Sequence, residues 1–122
     1  IQYAHARICS VFRNLEAMNE THNEAIGEAA LDLLTEPNEI KLLRGLSRYP
    51  EIIESSARLR TPHQMAHYLQ SLATEFHAYY NSQQFLVDDE NIRNVRLNLI
   101  LAAKIVLANG LALLGISAPE SM

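Results

Sequence analysis

Over residues 97–116 the chain reads LNLILAAKIVLANGLALLGI, in which only Asn98, Lys104 and Asn109 carry polar side chains. A helix here is apolar on nearly every face, which predicts a long C-terminal helix buried by its neighbours and central to the fold. Asp88 and Asp89 are its candidate N-caps, and Glu90 adds negative charge to the first turn. Gly115 is placed as a left-handed stop that folds Ile116 back onto the last turn. The same length suits a membrane span, but Lys104 near the middle costs roughly 2.5–3.5 kcal/mol in a bilayer. No second hydrophobic stretch or basic flank accompanies it, so no membrane partner is expected.

Upstream, Ile1, Ala4, Ile8, Val11, Phe12 and Leu15 recur at helical spacing and define a first helix ending near Met18. Tyr3, Arg7, Ser10 and Asn14 fall on a second line of that helix, one turn apart, on a face that need not be core. After a polar break at 19–23, Ala25, Ile26, Ala29, Ala30, Leu33 and Leu34 predict a second, acidic-faced helix. Thr35 is the expected cap of a third, with Pro37 in its first turn and Ile40, Leu42, Leu43 and Leu46 as its apolar content. Pro50 ends it and opens a short fourth helix over 51–59. Thr61-Pro62-His63-Gln64 reads as a capping box with proline at the first helical position, predicting a fifth helix that runs to about residue 87. Along it Met65, Leu69, Leu72, Phe76 and Gln83 form one line with Tyr79 and Tyr80 at its edge, beside a polar line that includes His77, Asn81 and Gln84. No alternating strand pattern or repeat occurs. The expectation is an all-α helical bundle of about five to six helices, a single domain over 1–122.

At 122 residues the chain is long enough for one sizeable core. It opens on Ile1 inside a helical pattern without cap or signal sequence, which reads as a piece cut from a longer protein. A single cysteine, Cys9, makes no internal disulfide, and a reducing, cytoplasmic setting fits. The formal charge of −4 gives no bulk reason to expect DNA or RNA. The signs are segregated, however: acids crowd 16–39, while Lys41, Arg44, Arg48, Arg58 and Arg60 make a basic middle.

Among candidate chemistry, His63-Gln64-Met65-Ala66-His67 places two imidazoles one turn apart, but glutamine stands where a zinc protease has its glutamate, and no third ligand is evident. No metal site and no catalytic residue is expected. A phosphotransfer histidine lacks nearby lysine support. Tyr79-Tyr80-Asn81 with Gln84 combines aromatic faces and amides, the groups that stack on and read unpaired bases. The same tyrosines also suit a bundle edge with hydrated hydroxyls. Asn109-Gly110 is likewise open: the glycine permits close helix packing, and the asparagine suits a satisfied core amide.

In these residues the chain resembles the C-terminal anticodon-binding domain of arginyl-tRNA synthetases. The resemblance rests on Ile1-Gln2-Tyr3-Ala4-His5-Ala6-Arg7, on Phe76-His77 with Tyr80-Asn81, and on Arg96-Leu97 followed by Val106-Leu107-Ala108-Asn109-Gly110-Leu111 and Leu113-Leu114-Gly115. The ending Ala118-Pro119-Glu120-Ser121-Met122 matches too, except that Ser121 stands where many members carry arginine. The resemblance implies the part of arginine–tRNA ligase that grips the anticodon loop of tRNA(Arg), with a catalytic domain upstream. That whole enzyme uses ATP and Mg²⁺, while this segment binds no cofactor and lacks the His-Ile-Gly-His-like and Lys-Met-Ser-Lys-like signatures. On this basis Tyr80 and then Tyr3 are the expected stacking platforms, Asn81, Gln84 and Asn109 the edge readers, Arg7 a phosphate or base-face contact, and Met122 an apolar cover. The alternative from another class is a helical protein-interaction module with no RNA role.

Overall fold

The computed structural model describes residues 1–122 and contains six α-helices: α1 Gln2–Ala17, α2 Glu24–Ala29, α3 Pro37–Ser47, α4 Tyr49–Leu59, α5 Pro62–Ser82 and α6 Glu90–Leu113, with a 3-10 turn at Leu31–Leu33. Helix α6 packs against α1, α2, α3 and α5, and α5 shares the centre by touching α1, α3, α4 and α6. Their shared core holds Leu69, Leu72, Phe76 and Tyr79 from α5 and Val95, Leu97, Ile100, Ala103 and Leu107 from α6. Each leucine, isoleucine, valine and phenylalanine among them contributes roughly 1.5–3 kcal/mol by leaving water.

Both ends of α6 follow from local chemistry. The Asp89 carboxylate accepts from the Ile92 amide at 3.0 Å, satisfying one orphan donor of the first turn. At the other end Gly115 takes φ +73, the Ile116 amide bonds the Leu111 carbonyl at 2.9 Å and the Gly115 amide bonds Ala112 at 3.0 Å. This pair of bonds is the Schellman closure.

Burial on nearly every face is corrected. Ile105 is 51% and Leu113 64% exposed, and Ala102, Asn109 and Ala112 are open as well, because α1, α2, α3 and α5 cover only one side. Half of the helix's most apolar stretch is buried against these neighbours, although its length and composition alone would suit a bilayer.

Three other boundaries differ from expectation. The second helix stops at Ala29, and the chain winds into the 3-10 turn, which leaves Leu31 57% exposed while Leu34 turns inward at 8%. Glu36, not Thr35, caps α3. Proline at the first helical position forces its predecessor into extended backbone, so the cap can only be residue 36; Glu36 indeed has ψ 143. The Glu39 carboxylate then accepts from the Glu36 amide at 3.1 Å. Thr61 does cap α5, but through its carbonyl, which accepts from the Gln64 amide at 3.2 Å; its hydroxyl makes no cap bond.

Helix α5 ends at Ser82, short of residue 87. The Ser82 hydroxyl donates to the Tyr79 carbonyl at 3.2 Å, a local bond that competes with continuing the helix. Phe85 then dips into the core at 5% exposure, its ring 4.9 Å from Tyr79 and 6.4 Å from Phe76. Gln83 consequently lies outside the helix, with φ −132 and ψ 150.

Gly110 faces α5 so closely that a Cβ there would lie 2.5 Å from a Leu69 methyl. Gly110→Leu should therefore destabilise the chain: overpacking costs about 1–3 kcal/mol, offset in part by about 0.5–1 kcal/mol from removing a helical glycine. Lys104, half-buried with its head free of any ion pair, should tolerate leucine. Chemical denaturation of the two variants checks the contrast, and equal midpoints would contradict it.

Candidate nucleic-acid interface

The second line of α1 meets the end of α5 at the surface. The Arg7 guanidinium carbon sits 4.2 Å from the centre of the Tyr80 ring and 4.8 Å from that of Tyr3, within cation–π range of both. Arg7 forms none of the chain's three ion pairs, so its charge is not cancelled by a carboxylate. Its Nη1 donates to His77 Nδ1 at 3.4 Å, and the His77 ring lies 5.5 Å from Tyr3. Helical geometry makes this cluster: Tyr3 and Arg7 are one turn apart on α1, His77 and Tyr80 nearly one turn apart on α5.

Tyr80 is 37% and Tyr3 49% exposed. Behind Tyr80 stand Phe76 at 6.0 Å and Phe85 at 5.9 Å, a rigid backing that fixes the ring without covering it. Tyr79, expected beside Tyr80 at the edge, is instead fully buried and donates its hydroxyl to Glu39 at 2.6 Å. One residue is a 100° turn, so only one of two adjacent tyrosines can face out. Burial and then the Glu39 bond push the Tyr79 hydroxyl's pKa far up, so it stays a donor.

Next to this cluster a groove of about 320 Å³ opens along α1 and the α5–α6 connection. Asn14, Tyr80, Gln83 and Gln84 supply its polar groups, and Val11, Phe85 and Leu86 its apolar wall. Aromatic face, amides and apolar wall together can take a planar heterocycle and hydrogen-bond its edge.

Burial, and next the neighbouring Arg7, hold the His77 pKa below its ordinary 6.5. Neutral His77 is also what the Arg7 bond requires, since Nδ1 must accept. The stability this residue contributes is complete above the unfolded value near 6.5 and is lost as pH falls through the lower folded value. The melting temperature should thus fall more steeply from about pH 7 to pH 5 in this chain than in His77→Gln. Parallel curves would refute the assignment.

Of the residues singled out from sequence, Tyr3, Arg7, Tyr80 and Gln84 come together here. Asn81 is exposed in the last turn of α5 and lines neither cluster nor groove. Asn109 is exposed beside Gly110, which packs on Leu69; that is eleven residues before Tyr80, about 16 Å along α5 at 1.5 Å per residue. Met122 is 75% exposed at the end of a tail laid along α1: Gln2 donates to the Ser117 carbonyl at 2.9 Å, His5 Nδ1 to Pro119 at 2.7 Å and Arg13 to Glu120 at 2.8 Å. Sequence reasoning missed His77, Asn14 and Gln83 as site residues; Asn14 carried a signal, lying on the line of Tyr3 and Arg7.

The whole chain, residues 1–122, matches the family described as DALR anticodon binding domain. It is similar to the arginine–tRNA ligase of Thioalkalivibrio sulfidiphilus, 57% identical over all of this chain and 21% of that protein. It is also similar to the ligase of Coxiella burnetii, 53% identical over the same shares. Among solved structures, Thermus thermophilus arginyl-tRNA synthetase superposes with a TM-score of 0.81 and 36% identity, over 99% of this chain and 20% of that one. The chain thus spans about a fifth of the length of these relatives.

Proposed function

The chain belongs to the DALR anticodon binding domain family along its whole length, and from that premise we propose that it is the tRNA-gripping part of an arginine–tRNA ligase, holding the anticodon loop of tRNA(Arg). The observation that carries this is the Tyr3–Arg7–Tyr80 stack opening onto an amide-lined groove. An anticodon loop presents unpaired bases, and each base stacked on an aromatic ring is worth roughly 1–3 kcal/mol. Tyr80 and Tyr3 are the stacking faces, and Gln84 reads a base edge. Arg7, free of a carboxylate, meets a phosphate or a base face. Asn81, Asn109 and Met122, away from the groove, contact other parts of the loop.

A catalytic domain in the same polypeptide would join arginine to the tRNA in the cytoplasm, with ATP and Mg²⁺. In this reading ATP and Mg²⁺ are used by that other domain. With a formal charge of −4, this part attracts phosphates weakly and selects through a few stacked and hydrogen-bonded contacts.

An RNA hairpin carrying the tRNA(Arg) anticodon stem and loop, titrated into the isotope-labelled chain, tests this. Resonances of Tyr3, Arg7, Asn14, His77 and residues 80–86 should shift first. No shifts at all would favour a protein-interaction module, and shifts confined to α2 and α3 would put the RNA contact away from this groove.

A further inference from the structure

We infer that Arg96 is a positioning residue for this groove, a latch that ties the segment carrying Gln83 and Gln84 to a fixed carboxylate in the core. The inference rests on the RNA reading of the groove. Arg96 belongs to α6 and does not line the groove. Its guanidinium reaches three acceptors at once: Nε donates to Glu39 Oε2 at 2.9 Å, Nη1 to the Gln84 carbonyl at 2.7 Å and Nη2 to the Gln83 side-chain oxygen at 3.2 Å.

The anchor end is immobile. Glu39 is fully buried, and its carboxylate also accepts from the Tyr79 hydroxyl at 2.6 Å and the Glu36 amide at 3.1 Å. The held end needs holding. Gln83 is the extended C-cap of α5, its amide making the last bond of the helix to the Tyr79 carbonyl; Gln84 follows outside the helix, and its carbonyl has no partner besides Arg96. Without the latch the Gln83 amide and the backbone that carries Gln84 are free to reorient, and an amide that reorients cannot prefer one base edge over another. Ordering the two groove residues before RNA arrives lowers the entropy cost of binding. A planar guanidinium alone suits this arrangement, because its fork spans acceptors on α3 and on the connection together, whereas an ammonium is a single point.

Arg96→Lys keeps a cation beside Glu39 while losing the reach to Gln83 and Gln84. Affinities of both proteins are measured for the tRNA(Arg) anticodon hairpin and for the same hairpin with its anticodon bases replaced. Arg96→Lys should remain folded by circular dichroism, bind the native hairpin roughly tenfold more weakly, as for loss of one charged hydrogen bond, and discriminate less between the two RNAs. The backbone at 84–86 in the free variant should also show lower NMR order parameters. A merely structural role would weaken both hairpins in proportion and leave their ratio unchanged; that result, or wild-type affinity, overturns the inference. If Arg96→Lys does not fold, Glu39→Gln, which keeps Arg96 but neutralises its anchor, is measured in its place: reduced discrimination supports the latch, and an unchanged ratio overturns it. An unsubstituted chain that binds both hairpins alike overturns the groove assignment, and the inference with it. Discrimination by the unsubstituted chain that survives in the variant overturns the inference alone.

Discussion

Glu39→Leu should lower the unfolding free energy by about 3–5 kcal/mol, the cost of breaking a buried ion pair by removing one partner. Three groups depend on that carboxylate. Arg96, whose side chain is only 12% exposed, would keep its charge in a nearly dry site without a counter-ion. The Tyr79 hydroxyl, in a fully buried residue, would lose its acceptor, and the Glu36 amide would lose the bond that closes the start of α3. Losses of this size are a large share of the roughly 5–15 kcal/mol that holds a domain together. Urea denaturation measures them. Adding Arg96→Met to Glu39→Leu should return part of the loss, because it removes the stranded charge. A single variant less than about 1 kcal/mol below the parent would show that the pair is already hydrated.

What the sequence made legible divides along the range of the interactions involved. Helix positions were readable because the apolar spacing of α1, α5 and α6 is a local signal, and so were the caps at Asp89 and Gly115, whose partners lie within three to five residues. Glu39 was not. It sits in an acidic stretch and reads as a solvated residue, while its partners lie 40 and 57 positions away on α5 and α6. The early end of α5 escaped for a related reason: Phe85 leaves the helix to join Phe76 and Tyr79, a tertiary choice that periodicity does not encode.

The candidate site shows the same division. Tyr3 and Arg7 were readable as one face of one helix, but their meeting with His77 and Tyr80 depends on α1 docking against α5. Asn109 stood out in the sequence as an amide within an apolar run, yet the partial cover of α6 leaves it at the surface well away from Tyr80. The tail offered no local clue, since His5 and Pro119 are 114 positions apart.

In the arginine–tRNA ligase proposed above, Tyr80→Ala should leave arginine and ATP handling unchanged and lower kcat/KM for tRNA by about 1–3 kcal/mol, the worth of one stacked base. The ring is held by Phe76 and Phe85 behind it and by the Arg7 guanidinium over its face, so it is ordered before RNA binds and an incoming base displaces Arg7 or extends its stack. Its hydroxyl makes no hydrogen bond within the chain. Tyr80→Phe should therefore cost much less than alanine, since stacking uses the ring. Alanine also removes contacts with Phe76 and Phe85, so some loss of melting temperature accompanies it. The two effects separate by substrate: lost folding reduces the rate with arginine, ATP and tRNA together, whereas a lost stacking face acts on tRNA alone. Steady-state kinetics with each substrate varied in turn, beside a thermal melt, reads both. A Tyr80→Ala ligase that melts early yet charges tRNA normally at low temperature would rule out the stacking role.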